Sequence, residues 1–150
     1  MIRHVSGEEL GRHVQVAFPL AVEQWDGPNL WVRPESILDT CRFLKEATGL
    51  EFNLLNSISA VDYVEHFEVV YHLTSTIQKH SALLKTRVYG RNGPALPSVV
   101  SVWQGADFQE REIWDLMGIA FDGHPNLKRI MLWEGFSGHP LRRDYLEPPR

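Results

Sequence analysis

The chain has a single cysteine, Cys41. It can therefore form no internal disulfide, no CxxC redox pair and no cysteine-ligated iron–sulfur cluster of its own. No apolar run approaches the roughly 20 residues that cross a bilayer. The N-terminal stretch, with Arg3, His4, Glu8 and Glu9, lacks the apolar core of a signal peptide. A basic excess is missing too: 15 Lys and Arg stand against 19 Asp and Glu, a net charge of −4, which gives no support for a general nucleic-acid role. Gly90, Gly93, Gly105 and Gly118 are scattered and match neither G-x-G-x-x-G nor the P-loop. No G-x-S-x-G frames a serine nucleophile. What remains is an ordinary globular composition, 43% hydrophobic and 23% charged over 150 residues, the length of one domain. The chain is expected in the cytosol, meeting a membrane only through a partner.

The pattern along the chain is α+β, without repeats or low-complexity tracts. Ser6 caps a short helix to about His13, with Glu9 completing the box. Strands at Ala21–Trp25 and Leu30–Arg33 flank the turn signal Asp26-Gly27-Pro28-Asn29. Pro34 opens a helix and Gly49 closes it, with Ile37, Leu38, Cys41, Leu44 and Ala47 at helical spacing. Three strands follow at Phe52–Asp62, His66–Thr74 and Ala82–Tyr89, paired antiparallel as a meander. In the second, Phe67, Val69, Tyr71 and Leu73 take the inner face, and Glu68, His72 and Thr74 the outer. Asn92-Gly93-Pro94 and Pro97 break the sheet, and Ser98–Trp103 reads as a helical turn or two. The fold class is thus α+β, a small mainly antiparallel sheet packed with helices over residues 1–118, followed by an extended irregular C-terminal arm over 119–150.

The densest information lies at that junction. Glu110-Arg111-Glu112-Ile113-Trp114-Asp115-Leu116-Met117-Gly118 reads as a helix with Asp107 as N-cap, Glu110 closing a D-x-x-E capping box and Gly118 as a left-handed terminator. Arg111 and Asp115 form an i,i+4 pair on the polar side, with Glu112 beside them. Glu110 falls instead within the apolar arc. It is the one carboxylate open to an acid–base role, against its structural use in the cap. Beyond Gly118 comes a ladder of Gly, His, Pro and Arg, with Phe121-Asp-Gly-His-Pro125 nearly repeated as Phe136-Ser-Gly-His-Pro140.

His124 and His139, with Asp122 and Asp144 nearby, admit a metal in principle, but they lack the short spacing of ligands on one element. Imidazole hydrogen-bonded to a carbonyl or a carboxylate is the expected role. Lys128-Arg129 and Arg142-Arg143 suit charge-paired contacts with an acidic protein surface. Trp103, Trp114, Phe121, Trp133, Phe136 and Tyr145 crowd the last third, alternating with arginines, as at interface hot spots. An irregular arm of this length is expected to need a second protein for its backbone hydrogen bonds. Without one it is expected to be open to proteolysis beyond Gly118.

Here the chain resembles a known family: the C-type subunits of the proton-pumping NADH–quinone oxidoreductase, the 30-kDa-type subunit of respiratory complex I. The signature E-R-E, an acid, an apolar pair, His or Lys, a basic residue and an aliphatic pair is matched by Glu110-Arg111-Glu112, Asp115, Leu116-Met117, His124, Lys128 and Ile130-Met131. Gly138-His139-Pro140-Leu141-Arg142-Arg143-Asp144-Tyr145 resembles the family's arm; Leu146 replaces its usual proline, and Gln104-Gly105-Ala106 departs from a proline-alanine-alanine-like stretch. The resemblance implies a non-catalytic subunit that binds no cofactor or metal, with FMN, iron–sulfur clusters, NADH and quinone on other subunits. It implies packing on the large 49-kDa-type (D-type) subunit beside the quinone site, near the cluster-bearing B- and I-type subunits, on the cytoplasmic side of the cell membrane. Glu110, Arg111, Glu112, Asp115, His124, Lys128, Arg129, Trp133, His139, Arg142, Arg143, Asp144 and Tyr145 are then the expected interface or bracing residues. Two rivals stand beside this reading. One is the equivalent subunit of a membrane-bound hydrogenase or of a ferredoxin- or F420-dependent quinone-reducing complex. The other is a stand-alone enzyme using Glu110 and an arm histidine.

Overall fold

A computed structural model describes residues 1–146. The last four positions of the expected arm, 147–150, lie outside the described residues. The elements run β1 (Arg3–His4), α1 (Gly7–Ala17), β2 (Val22–Asp26), β3 (Asn29–Val32), a 3-10 turn (Pro34–Ser36), α2 (Ile37–Glu46), β4 (Leu54–Asp62), β5 (Phe67–Ser75), β6 (His80–Val88), β7 (Ala95–Pro97), α3 (Ala106–Met117) and β8 (Ala120–Asp122). The architecture is α+β, as the pattern implies. The main sheet has the order β2-β3-β6-β5-β4. Its β4-β5-β6 meander and its β2-β3 hairpin are antiparallel. The two parallel joints are at β6, whose second edge is shared by β1 and β3.

Local chemistry explains most boundaries. Ser6 Oγ accepts from the Glu9 N–H and starts α1, which runs on to Ala17, a turn beyond the expected end. Gly27, at φ +56°, followed by Pro28 makes the two-residue turn between β2 and β3. Pro34 opens a 3-10 turn rather than the α-helix itself, and α2 ends at Ala47 in extended backbone, two residues before Gly49. Gly49, at φ +87°, shapes the following turn instead of closing the helix.

One face of the sheet carries the core. Phe67, Val69, Tyr71 and Leu73 are fully buried there, against Leu84 and Ala82 of β6, Ile37, Cys41 and Leu44 of α2, and Ile113 and Met117 of α3. Glu68, expected on the solvated face, is buried as well. The Trp31 Nε1–H donates to it at 2.7 Å and the Lys85 ammonium stands 3.9 Å away. The main sheet ends before Asn92-Gly93-Pro94, as expected, and Pro97 is the last residue of β7; that strand pairs in parallel with β8 in a separate two-stranded sheet, placing a short strand beyond Gly118 where irregular chain was expected. That pair ties the start of the arm to the domain.

Candidate functional site

Helix α3 lies across β4 and presents its acids to three different environments. Its N-cap is Gly105, with no side-chain cap; Asp107 sits inside the first turn, so the expected D-x-x-E box does not form. Glu110 is fully buried and caps something else. Ser98 Oγ–H donates to Oε1 at 2.6 Å and the Val99 N–H donates to Oε2 at 2.9 Å. The carboxylate thus starts the turn in which the Val102 and Trp103 N–H groups return to the Val99 carbonyl. Trp103 Nε1–H then donates to the Phe52 carbonyl at 3.1 Å, pinning that turn to the domain. Burial pushes the Glu110 carboxyl above its usual range, and the Ser98 and Val99 bonds pull against it. Both oxygens are engaged and none of the residue is exposed, a geometry that serves a cap and leaves a substrate no access.

Asp115 is the second case and a correction. It does not face solvent opposite Arg111; it is fully buried under the arm. The N–H groups of Ile130, Met131 and Leu132 converge on its Oδ2 at 3.1, 2.7 and 2.8 Å, a concavity of successive amides around an anion. Arg129 Nη1 reaches Oδ1 at 3.0 Å, and its Nη2 donates to the Gly138 carbonyl at 2.7 Å. Burial raises the Asp115 carboxyl, but the three amides and Arg129 outweigh it and hold it below the ordinary range. Arg111, freed from the expected pair, donates to the Lys128 and Arg129 carbonyls at 3.2 Å each and lies over Phe108. An i,i+4 pair yields here because a buried carboxylate needs several donors at once, and one exposed guanidinium supplies too few.

The histidines serve the same brace. His139 Nδ1–H donates to the Asp115 carbonyl at 2.9 Å, and its ring packs at 5.1 Å from Trp114. Gly118, at φ +75°, passes so close beneath that a Cβ there would stand 2.7 Å from the His139 ring. His124 Nε2 lies 3.1 Å from both the carbonyl oxygen and Oδ1 of Asp107, while Nδ1 accepts from the Asn126 N–H. Among the described residues no three His, Cys, Asp or Glu converge as a metal site. Cys41 is buried, and desolvation pushes its thiol far up.

A second anchor holds the far end of the arm, joining the expected Arg142, Arg143 and Asp144 to Asp62 and Arg91, which the sequence did not single out. Asp62, at the end of β4, receives both Arg91 Nη groups at 2.7 and 2.8 Å and the Arg143 N–H at 2.9 Å. Asp144 bridges Arg91 at 3.2 Å and Arg142 at 2.8 Å, and Arg142 donates to the Arg91 carbonyl at 2.7 Å. Both guanidinium groups lie over Phe67. Arg91 holds the Asp62 carboxyl far below its usual range, and Arg142 lowers that of Asp144 to about 2. The expected acidic partner for Arg129 and Arg142 is therefore this chain's own Asp115, Asp62 and Asp144 network. No local signal points to Asp62, Arg91 or Ser98, whose partners are far away in sequence.

Of the remaining expected residues, Glu112, Lys128 and Arg143 are exposed, and Glu112 makes no hydrogen bond or ion pair among the described residues. Tyr145 packs on Gly138. Trp133 meets Phe136 edge-on at 4.9 Å yet remains 69% exposed. Met131, Leu141 and Leu146 are also largely exposed, so the braced arm turns several large apolar side chains outward.

Comparison with known proteins gives a consistent result. The family described as "Respiratory-chain NADH dehydrogenase, 30 Kd subunit" matches residues 30–149. A C-type subunit of the NADH-quinone oxidoreductase of Rhizobium meliloti is 47% identical over 117 residues, covering 76% of this chain and 63% of that protein. The C-type subunit of the Roseobacter denitrificans NADH-quinone oxidoreductase is 40% identical over 145 residues, 92% of this chain and 72% of the relative. This chain thus spans less than two thirds of the Rhizobium meliloti protein. Among solved structures, a chain of the membrane-bound sulfane sulfur reductase, an archaeal respiratory membrane complex, superposes with a TM-score of 0.69 at 30% identity, covering 93% of this chain and 85% of that one.

Proposed function

The chain belongs to the 30-kDa subunit family of respiratory-chain NADH dehydrogenases, and from that membership we propose that it is a structural, cofactor-free subunit of a proton-pumping NADH–quinone oxidoreductase. In this reading it packs on the large 49-kDa-type subunit beside the quinone site, near the B- and I-type subunits, on the cytoplasmic side of the membrane. The redox chemistry (FMN, iron–sulfur clusters, NADH, quinone and coupled proton translocation) belongs to the other subunits. No described helix is long and apolar enough to cross a membrane. Attachment, in this reading, runs through those partners.

One observation carries the reading. Asp115, Arg129, Arg142 and Asp144, which look chemically active, are spent on holding the arm, and what the arm then displays includes Met131, Trp133, Leu141 and Leu146. Such a surface serves recognition rather than turnover. The stand-alone enzyme reading has its proposed acid, Glu110, sealed in a cap.

Affinity-tagged chain, expressed in its own cells, should draw NADH–quinone oxidoreductase activity from solubilised membranes, and a form lacking residues 119–150 should not. Equal recovery by the truncated form would refute the role given to the arm. The likeness to the sulfane sulfur reductase chain supports a second reading, the equivalent subunit of a related membrane-bound complex with another electron donor. It predicts recovery of a membrane assembly without NADH oxidation.

A further inference from the structure

Four of the five ionisable residues of α3 that precede the arm find their partners inside this chain. Asp107 Oδ1 lies 3.1 Å from the His124 ring, which hydrogen-bonds the Asp107 carbonyl, while Glu110 holds Ser98 and Val99, Arg111 holds the Lys128 and Arg129 carbonyls, and Asp115 holds the arm. Glu112 is the exception, exposed and without a partner among the described residues. It stands at the rim of a groove of about 220 Å³ between α3 and β4, walled by Ile58, Ala60, Ile113, Leu116 and Leu141. Gln109 Oε1 accepts the outward Ile58 N–H at the groove floor, so the β4 edge is closed to an added strand at that point. The space suits a side chain and falls short of the ~300 Å³ at which small-molecule pockets begin. Phe108, one turn before Glu112 on the same helix, is 62% exposed.

An acid at the rim of a largely apolar groove loses its water when a partner docks, and it then requires a cation opposite. We infer that the α3–β4 face is a docking site for a segment of a neighbouring subunit that sets an arginine or lysine on Glu112 and an apolar side chain into the adjoining groove. This rests on the assembly reading above and specifies one contact within it. A second copy of this chain fits less well. A two-fold contact needs the complementary cation on the same patch, and the arginine there, Arg111, is already engaged by carbonyls.

Tagged wild-type chain, Glu112→Gln and Glu112→Arg are expressed in the native cells and recovered from membranes at low and raised salt. Because Glu112 holds nothing in the fold, all three isolated chains should melt alike. Glu112→Arg should lower the co-purified assembly about tenfold or more, since like charges meet at the contact. Glu112→Gln should fall between the two and lose much of the salt sensitivity of the wild type. Equal recovery by wild type and Glu112→Arg overturns this contact and leaves the assembly reading standing. Failure of the wild type itself to recover an assembly overturns both. If the isolated wild type runs as a dimer in gel filtration and Glu112→Arg as a monomer, the occupant is a second copy and the inference is wrong.

Discussion

Replacing Asp115 by asparagine is the sharpest test of how the arm is held. The change keeps shape and removes charge from an atom that accepts three backbone N–H groups, beside a second that accepts Arg129. Breaking a buried charge pair from one side costs about 3–5 kcal/mol. The lower end applies, because Arg129 keeps the Gly138 carbonyl and the asparagine oxygen retains part of the amide set. About 3 kcal/mol off the local stability of the arm is roughly a 150-fold rise in its opening equilibrium. The core, on the other side of α3, should stay closed, since segments open as separate units. Hydrogen exchange of the isolated chain reads this directly. The Ile130, Met131 and Leu132 amides should be protected in the wild type and lose roughly two orders of magnitude in Asp115→Asn. Amides in β5 and β6 should be unaffected. The pH dependence has a definite sign. A carboxyl held below the ordinary aspartate value of 3.8 contributes in full above that value and is lost as pH falls through its lower folded value. Protection corrected for intrinsic exchange should therefore be flat from about pH 5 to 8. Unprotected amides in the wild type, or equal protection in the variant, would refute an arm braced by this chain alone.

Other perturbations reach different parts of the same brace. Asp62→Asn removes the bidentate partner of Arg91 and should loosen the far end of the arm by about 2 kcal/mol, giving roughly 30-fold faster tryptic cleavage at Arg142 and Arg143. Unchanged cleavage would place the anchor elsewhere. Gly118→Ala combines a strained left-handed position with a 2.7 Å approach to the His139 ring, and should cost about 1–3 kcal/mol in denaturant unfolding. Full tolerance would mean the His139–Asp115 contact is loose. Tyr71→Phe deletes a buried hydroxyl without a partner among the described residues, so it should be neutral or stabilise by up to ~2 kcal/mol. A loss above about 1 kcal/mol would show that the hydroxyl is hydrogen-bonded after all.

Much of this protein was legible as local pattern, because local pattern is physically short-range. The period-two alternation from Phe67 to Leu73, the Ser6 cap, the Gly27-Pro28 turn and the left-handed Gly118 each depend on residues within a few positions. Their physical causes are local sterics and hydrogen bonds within a few residues. The E-R-E signature likewise identified the family without coordinates, since its residues lie close along the chain.

What each signature residue does was decided only in three dimensions. A helical wheel sends Asp115 to solvent beside Arg111, because it knows the helix and not what folds over it. Once the arm crosses α3 that side becomes interior, and the carboxylate takes three amides and Arg129 in place of one exposed partner. Glu110 looked like half of a capping box on its own helix, yet it caps the turn at Val99 because Ser98 and Val99 are brought alongside. Asp62 and Arg91 carried no sequence signal at all. Their pairing exists because the β4–β5 turn and the end of β6 meet beneath Phe67, and the arm's Arg142, Arg143 and Asp144 close over them. Composition and spacing determine the elements and the kinship. The partners of buried charge are a property of the whole fold, since a desolvated carboxylate is satisfied by whichever donors the tertiary structure brings within about 3 Å.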